Sequence, residues 1–165
     1  MRAAKQHVIL DWDGTVTERD TLDLVLGEFG DAEIYERVEA ELDAGTMTLN
    51  EVIAAEFATV TTPLEDVEPW LLEHTRVRDG FAELARAHRP LVLSSGSCSV
   101  CGEPCKRADL PRDGEIVYAG DGYSDFCAVS AADRVFATGS LARRLVEDGV
   151  PFTPLTDFRA LASEL

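Results

Sequence analysis

The sequence is poor in basic residues and has no long apolar segment. Its 165 residues contain 15 Lys and Arg against 31 Asp and Glu, a formal net charge of −16 at pH 7. Such a surface repels phosphate backbones and anionic lipid headgroups, so we expect neither nucleic acid nor a membrane as a partner. No run reaches the roughly 18 apolar residues of a membrane-spanning helix. No apolar signal region precedes the first predicted strand, which predicts a cytoplasmic protein.

Disulfide bonds are not expected either, because no secretory signal is predicted. The chain has four cysteines: Cys98, Cys101, Cys105 and Cys127. The first three have the spacing of zinc ligands, and only Cys127 could provide a fourth thiolate. Two hypotheses stay open, a loop of reduced thiols and a zinc-binding protein organised by these cysteines.

Apolar runs and helical patterns alternate along the chain, and 45% of the residues are hydrophobic. This pattern predicts an α/β fold, a Rossmann-like parallel sheet core with a small helical cap inserted after the first strand. Residues 1–20 and 76–165 would form the core and residues 21–75 the cap. Predicted strands lie at 8–10, 91–93, 116–119 and 135–137, with a last short one near Phe152.

Local signals refine this prediction at several points. Thr48 and Thr62 each begin a predicted capping box, the second with Pro63 at the first helical position. Asp157 is expected to cap a terminal helix. We expect Trp12 to pack in the core.

The segment Asp11-Trp12-Asp13-Gly14-Thr15 follows the first apolar run directly. Residues just past a parallel strand lie where open α/β sheets bind ligands. Two carboxylates converging there repel each other unless a cation or a proton lies between them. The pattern indicates a divalent metal site in which one carboxylate is a nucleophile and the other moves a proton. The alternative is a capping Asp and a turn Asp in a surface loop.

Two further predicted strands also end in polar residues. Ser94, Ser95 and Gly96 follow one, and Asp121 and Asp125 follow the next. Because the carboxyl ends of parallel strands share one edge, we expect these groups to gather beside the first motif. Lys106 would supply a cation between the second and third groups.

In this order the motifs resemble those of the haloacid-dehalogenase-like phosphatase superfamily. Asp11 to Thr15 is similar to its first motif, Ser94 to its second, Lys106 to its third and 120–125 to its fourth. The helical insertion resembles the small cap of the phosphoserine-phosphatase-like branch. Further segments, 77–81 and 132–137 among them, resemble a phosphatase of methionine salvage.

The resemblance implies that Asp11 attacks phosphorus and becomes an aspartyl-phosphate. Asp13 would protonate the leaving alcohol and then deprotonate the attacking water. Lys106 would offset the charge that Asp11 shares with the phosphate. The presence of Asp13 favours phosphoryl transfer, because dehalogenases of this fold lack a carboxylate there.

The resemblance also implies the binding groups. Ser94, with Ser95 beside it, would hold the phosphoryl oxygens. The position of Gly96 selects Ser94 as the main ligand. The cofactor would be Mg²⁺, held by the Asp11 and Asp121 carboxylates and by the main-chain carbonyl of Asp13. Asp125 would lie beside the metal or behind it. Asp20, at the base of the insertion, would face substrate or solvent.

The chain departs from the family between Ser94 and Lys106, where only eleven residues lie. The family uses several tens there, and a helical crossover alone takes about ten to twelve. Either the protein has lost an edge unit of its sheet, or a segment near Ser97 is missing from this sequence, which we favour. An intact mass well above 18.0 kDa would support the second explanation, and a mass equal to 18.0 kDa would exclude it.

The sequence thus predicts a Mg²⁺-dependent phosphatase acting on a small phosphorylated metabolite. The methionine-salvage enol phosphate and phosphoserine are candidate substrates. Two alternatives remain, a non-catalytic binding or regulatory module on the same fold and the cysteine-organised zinc protein. The oligomeric state is not predicted.

Overall fold

The computed structural model describes residues 5–87, 98–102 and 105–165. The strand predicted at 91–93 and the phosphate-binding candidates Ser94 and Ser95 lie outside these residues. So does Gly96, which selected between the two serines.

In the part of the chain that the structure describes, four parallel strands form one sheet in the order β1-β2-β3-β4. They are β1 (Gln6–Leu10), β2 (Glu115–Gly120), β3 (Arg134–Ala137) and β4 (Thr153–Pro154). The predicted α/β fold with a parallel sheet is therefore confirmed. The short apolar runs mark these strands because both faces of a parallel sheet are covered.

The eight helices of the described residues occupy the segments between the strands and beyond them. They are α1 (Thr21–Phe29), α2 (Ala32–Asp43), α3 (Leu49–Phe57), α4 (Leu64–His74), α5 (Phe81–Ala87), α6 (Phe126–Val129), α7 (Gly139–Glu147) and α8 (Phe158–Ser163). Two short 3₁₀ turns, Lys106–Asp109 and Tyr123–Asp125, complete the elements. Asp157 caps α8 as predicted, since its Oδ1 accepts from Ala160 N at 2.8 Å.

Apolar side chains cover both faces of β2, the most buried strand. Ile116 and Tyr118 pack on one face with residues of α6 and α7. Val117 and Ala119 pack on the other with residues of α5 and α8. Successive side chains of a strand point to opposite faces, so this one segment joins two apolar layers. The burial fixes where β2 ends, and therefore where Asp121 lies.

The chain divides into two compact units, residues 1–18 with 77–165, and residues 19–76. The second unit contains α1 to α4, whose buried residues include Leu24, Val38, Val52 and Val67. The predicted capping box at Thr48 is present, with Glu51 as its reciprocal partner.

Two local predictions were wrong. Helix α4 begins at Leu64, so Pro63 is the N-cap residue without a side-chain cap and Thr62 forms no capping box. Trp12 does not pack in the core, because 53% of it is exposed; its ring makes a T-shaped contact with that of Phe81, at a centroid distance of 5.7 Å. The strong turn that follows Asp11 directs this ring outward.

Glu56 is a buried acid within the helical unit. Glu56 is only 5% exposed, and its Oε1 has no hydrogen-bond partner among the described residues. Burial, reinforced by the charges of Glu39 and Asp23, raises the pKa of Glu56 to about 7 from an ordinary value of 4.5. The folded protein therefore binds a proton here that the unfolded chain releases between these two values.

We expect the free energy of unfolding to fall as the pH rises from 4.5 to about 7, because the folded state must then hold a buried charge. Glu56→Gln should remove the Glu56 contribution to this decline, leaving that of the other buried acids, and should raise the free energy of unfolding by about 1–3 kcal/mol at pH 8. Urea unfolding across the pH series measures both effects. Glu68→Gln, at an exposed position in the same unit, is the control and should change neither. Parallel pH profiles for wild type and Glu56→Gln would contradict the assignment.

Within the described residues, every helix is too short or too polar to traverse a bilayer.

Candidate active site

The register of the sheet brings the first and fourth motifs together. Leu10 pairs with Ala119, and Asp11 N then donates to Ala119 O at 2.9 Å. Gly120 pairs with Ala137, so Asp121 leaves the sheet at the same edge as Asp11. The carbonyl of Asp121 accepts from Leu141 N at 2.7 Å, which fixes its main chain at the start of α7. Two carboxylates remote in sequence therefore share the carboxyl edge of the sheet.

A tight turn follows Asp11. The carbonyl of Trp12 accepts from both Val16 N and Thr17 N, at 2.8 and 3.0 Å. Arg78 braces the turn from outside, because its Nε donates to Thr15 O at 2.9 Å and its Nη2 to Gly14 O at 3.0 Å. Val16 and Thr17 are each only 1% exposed. The turn is thus held from both sides, which fixes the position of Asp11.

Gly14 allows the turn to approach Asp121. Its φ is +68°, in the left-handed region that favours glycine. A Cβ added there would lie 2.2 Å from Oδ2 of Asp121. Thr15 Oγ1 donates to the other oxygen, Oδ1, at 3.2 Å. Glycine at position 14 is therefore required by the packing of the first motif against the fourth.

Three carboxylates converge at this edge. Oxygens of Asp11, Asp121 and Asp125 all lie within 4.8 Å of one another. Burial, together with the charges of Asp11 and Asp125, raises the pKa of Asp121 to about 7. Burial and the Asp125 charge also raise the pKa of Asp11, against the opposing effect of Lys106. A cation among these groups would offset a repulsion that the fold imposes.

Lys106 provides one such cation. Its Nζ contacts Asp11 Oδ1 and donates to Asp125 Oδ1 at 2.8 Å and to Ser124 Oγ at 3.1 Å. Burial alone would lower the pKa of Lys106, but the Asp125 and Asp11 carboxylates outweigh it and raise that pKa. The ammonium therefore stays charged between two acids.

Asp125 differs from the other two acids because donors surround it. It is fully buried, and its Oδ1 accepts from Tyr118 Oη at 2.7 Å as well as from Lys106. Its Oδ2 accepts from the main-chain N–H groups of Asp121 and Gly122 at 3.0 and 3.1 Å. A carboxylate held by four donors is a rigid acceptor, and it orients Lys106 toward Asp11.

The donor set fits Mg²⁺. This ion prefers oxygen ligands, usually one or two carboxylates completed by waters and phosphate oxygens. Asp11 and Asp121 offer such carboxylates, while the oxygens of Asp125 are already occupied by hydrogen bonds. The geometry can hold a divalent ion beside a lysine, an arrangement suited to binding a phosphate.

The other candidate residues have different surroundings. Asp13 is partly buried, and its carboxylate is not in the three-acid cluster. Asp20 is the N-cap of α1, where its Oδ1 accepts from Leu22 N at 2.7 Å. The roles predicted for Asp13, Asp20, Ser94 and Ser95 stay predictions.

Sequence reasoning missed three residues that shape the site, Thr15, Arg78 and Tyr118. Tyr118 is fully buried in β2, and burial with the Asp125 charge raises its pKa. In sequence a tyrosine within an apolar run is typical of a core residue, so its hydrogen bond to Asp125 had no local signal. Arg78 is remote from the motif it braces. Thr15 stood inside the first motif and could have been recognised as a polar residue next to Gly14.

No family model matches the chain. Three curated proteins with the name 2-hydroxy-3-keto-5-methylthiopentenyl-1-phosphate phosphatase are similar to it. The protein of Geobacillus thermodenitrificans (strain NG80-2) is 23% identical over 205 residues, covering 93% of this chain and 93% of that protein. Those of Bacillus cereus (strain B4264) and Bacillus mycoides (strain KBAB4) are 22% and 21% identical over 209 residues, covering 96% of this chain and 95% of each protein.

These alignments are longer than the 165 residues of the chain, so the chain is shorter than its relatives inside the aligned region. That difference agrees with the short connection between Ser94 and Lys106 but does not locate the gap. The distant similarity over nearly the whole length supports a relationship between this chain and a family of phosphatases.

Proposed function

We propose that this protein is a Mg²⁺-dependent phosphatase of the haloacid-dehalogenase type that hydrolyses a small phosphate monoester through an aspartyl-phosphate on Asp11. The observation that carries the proposal is the bridge of Lys106 between Asp11 and Asp125, beside Asp121. A partly buried ammonium in contact with a carboxylate can offset the charge that develops when that carboxylate attacks a phosphate. The phosphatase relatives support the reaction class.

In the first step a carboxylate oxygen of Asp11 attacks phosphorus, and the bond between phosphorus and the leaving alcohol oxygen breaks. Asp13 gives its proton to that oxygen. In the second step Asp13 takes a proton from a water molecule, whose oxygen attacks the phosphorus. The bond from Asp11 to phosphorus then breaks, which releases inorganic phosphate and restores the Asp11 carboxylate and the protonated Asp13.

Asp11, Asp121 and the main-chain carbonyl of Asp13 would hold Mg²⁺, which when bound neutralises part of the charge of the phosphate and of the acids. In this proposal Asp125 lies behind the metal. Its four hydrogen bonds suit a positioning residue that directs Lys106 toward Asp11.

Ser94, with Ser95 beside it, completes the proposed site as phosphate ligand. We further propose that residues 21–75 act as a cap over a small substrate, with Asp20 at its base, and that the protein is cytoplasmic. The enol phosphate that names the relatives and phosphoserine are the candidate substrates. Because the acidic surface repels a phosphate, its attraction to the site depends on local cations.

Phosphate release from a panel of small metabolite phosphates and an aryl phosphate tests the proposal. We expect turnover only with added Mg²⁺ and faster turnover of small metabolites than of phosphoproteins or 5′-phosphorylated oligonucleotides. Titrating Mg²⁺ into protein freed of loosely bound metal by gel filtration avoids strong chelators. No release from any monoester at saturating Mg²⁺ would refute the phosphatase, and preferred turnover of the macromolecules would refute the small substrate.

A further inference from the structure

We infer that Cys98, Cys101, Cys105 and Cys127 form a structural zinc site, separate from the three-acid cluster. This site does not depend on the proposed phosphatase activity. The four cysteine sulfurs all lie within 4.8 Å of one another. None of these four described cysteines is in a disulfide. The fourth sulfur comes from α6, far along the chain from the other three.

The spacing of the sulfurs fits a tetrahedral metal ion. Zn–S bonds of about 2.3 Å place the sulfurs of a tetrahedral site about 3.8 Å apart. The Cys98 and Cys127 sulfurs are 3.8 Å apart. An iron–sulfur cluster needs its cysteine sulfurs farther apart, because iron and sulfide atoms stand between them. Four thiolates around one ion are the ligand set of structural zinc.

The surroundings are built for thiolates. Val100 N donates to Cys98 Sγ at 3.4 Å, and Arg107 N donates to Cys105 Sγ at 3.4 Å. Each donor lies two residues after its cysteine, so the chain makes the same turn twice. Main-chain N–H groups that point at sulfur offset thiolate charge and orient the ligands. Packing of thiols alone does not require this repeated turn.

The turn that carries the first two cysteines is closed by the residue after Cys101. Gly102 follows Cys101 with a φ of +80°, and its N–H donates to Cys98 O at 2.8 Å. A left-handed residue here closes the turn that brings Cys98 and Cys101 to one side. The guanidinium of Arg107 donates to Cys127 O at 3.1 Å. It places a positive charge beside a site in which the negative charge of four thiolates would exceed the positive charge of one Zn²⁺.

The site would hold Lys106 beside the acids whatever the length of the connection that precedes it. Cys105 directly precedes Lys106, and Cys127 lies two residues after Asp125. One ion bound by both cysteines would therefore tie the segment carrying Lys106 to the helix that follows Asp125. A bound metal stabilises such a segment, because the free energy of metal binding adds to that of folding.

Metal analysis of the purified, reduced full-length protein tests the inference directly. We expect about one zinc ion per chain, retained through gel filtration in excess Mg²⁺. Replacement by Co²⁺ should produce the intense visible and thiolate charge-transfer bands of tetrahedral sulfur coordination. These two measurements use the wild type and do not depend on the folding of any variant.

Cys98→Ser and Cys127→Ser should each lower the zinc content roughly tenfold or more. Ser99→Ala, an exposed neighbour in the same turn, is the matched control and should keep full zinc. The inference would be overturned by a reduced wild type without zinc, by iron in its place, by two native disulfides, or by zinc that persists when all four cysteines are replaced. Zinc content is measured without any phosphatase assay, so its outcome is independent of the proposed function.

Discussion

Asp11→Asn should reduce kcat roughly 10⁴-fold or more while the protein still folds, because an amide cannot attack phosphorus as a carboxylate does. The substitution also removes the charge that Lys106 contacts. Three acids converge at this edge, and the Asp11 charge contributes to the raised pKa of Asp121. We therefore expect the free energy of unfolding without Mg²⁺ to stay constant or to rise. Steady-state turnover of an aryl phosphate and urea unfolding measure the two effects.

The matched control for this variant is Asp79→Asn. The Asp79 side chain is 80% exposed and pairs with the exposed Arg159 at 3.3 Å, so its loss should leave turnover unchanged. Turnover by Asp11→Asn at more than a few per cent of the wild-type rate would remove Asp11 from the role of nucleophile.

Gly14→Ala should reduce apparent Mg²⁺ affinity by roughly 10–100-fold, the range seen when the support of a metal ligand is disturbed. The new Cβ would lie 2.2 Å from Asp121 Oδ2 and 2.6 Å from its Cγ, so the carboxylate must move. The Mg²⁺ dependence of turnover measures the shift. The left-handed φ of +68° adds a cost of about 1–2 kcal/mol to folding.

Gly45→Ala separates these two effects. Gly45 has a φ of +69°, but an added Cβ would meet no atom within 4 Å. It should therefore show the same backbone cost in urea unfolding with an unchanged Mg²⁺ dependence. Equal Mg²⁺ dependence in Gly14→Ala and Gly45→Ala would contradict the close packing of the first motif against Asp121.

The positions of Asp11 and Asp121 could be predicted because each follows a buried apolar run, and parallel strands end at one edge. Lys106 was expected between the Ser94 and Asp121 groups; the structure places its Nζ between Asp11 and Asp125, while Ser94 lies outside the described residues. Tyr118, the partner of Asp125, could not be identified, since a tyrosine in a strand has the same local pattern whether it packs or donates a hydrogen bond. The bracing of the turn by Arg78 depends on tertiary structure, which periodicity does not encode.

The other errors have similar causes. Pro63 fits the local sequence pattern of a first helical residue, but α4 begins one residue later, at Leu64. The exposure of Trp12 follows from the turn after β1 rather than from its own hydrophobicity. The four cysteines were a spacing pattern with one distant member, and only the fold brings Cys127 to the other three.

The most direct test of the central claim is mass spectrometry of the protein quenched in acid during turnover with Mg²⁺. We predict that the peptide containing Asp11 gains the mass of one phosphoryl group on that residue. The gain should be absent from Asp11→Asn and present in Asp79→Asn. A protein that turns over substrate while no phosphoryl group appears on Asp11, or while it appears on another residue, would contradict the account.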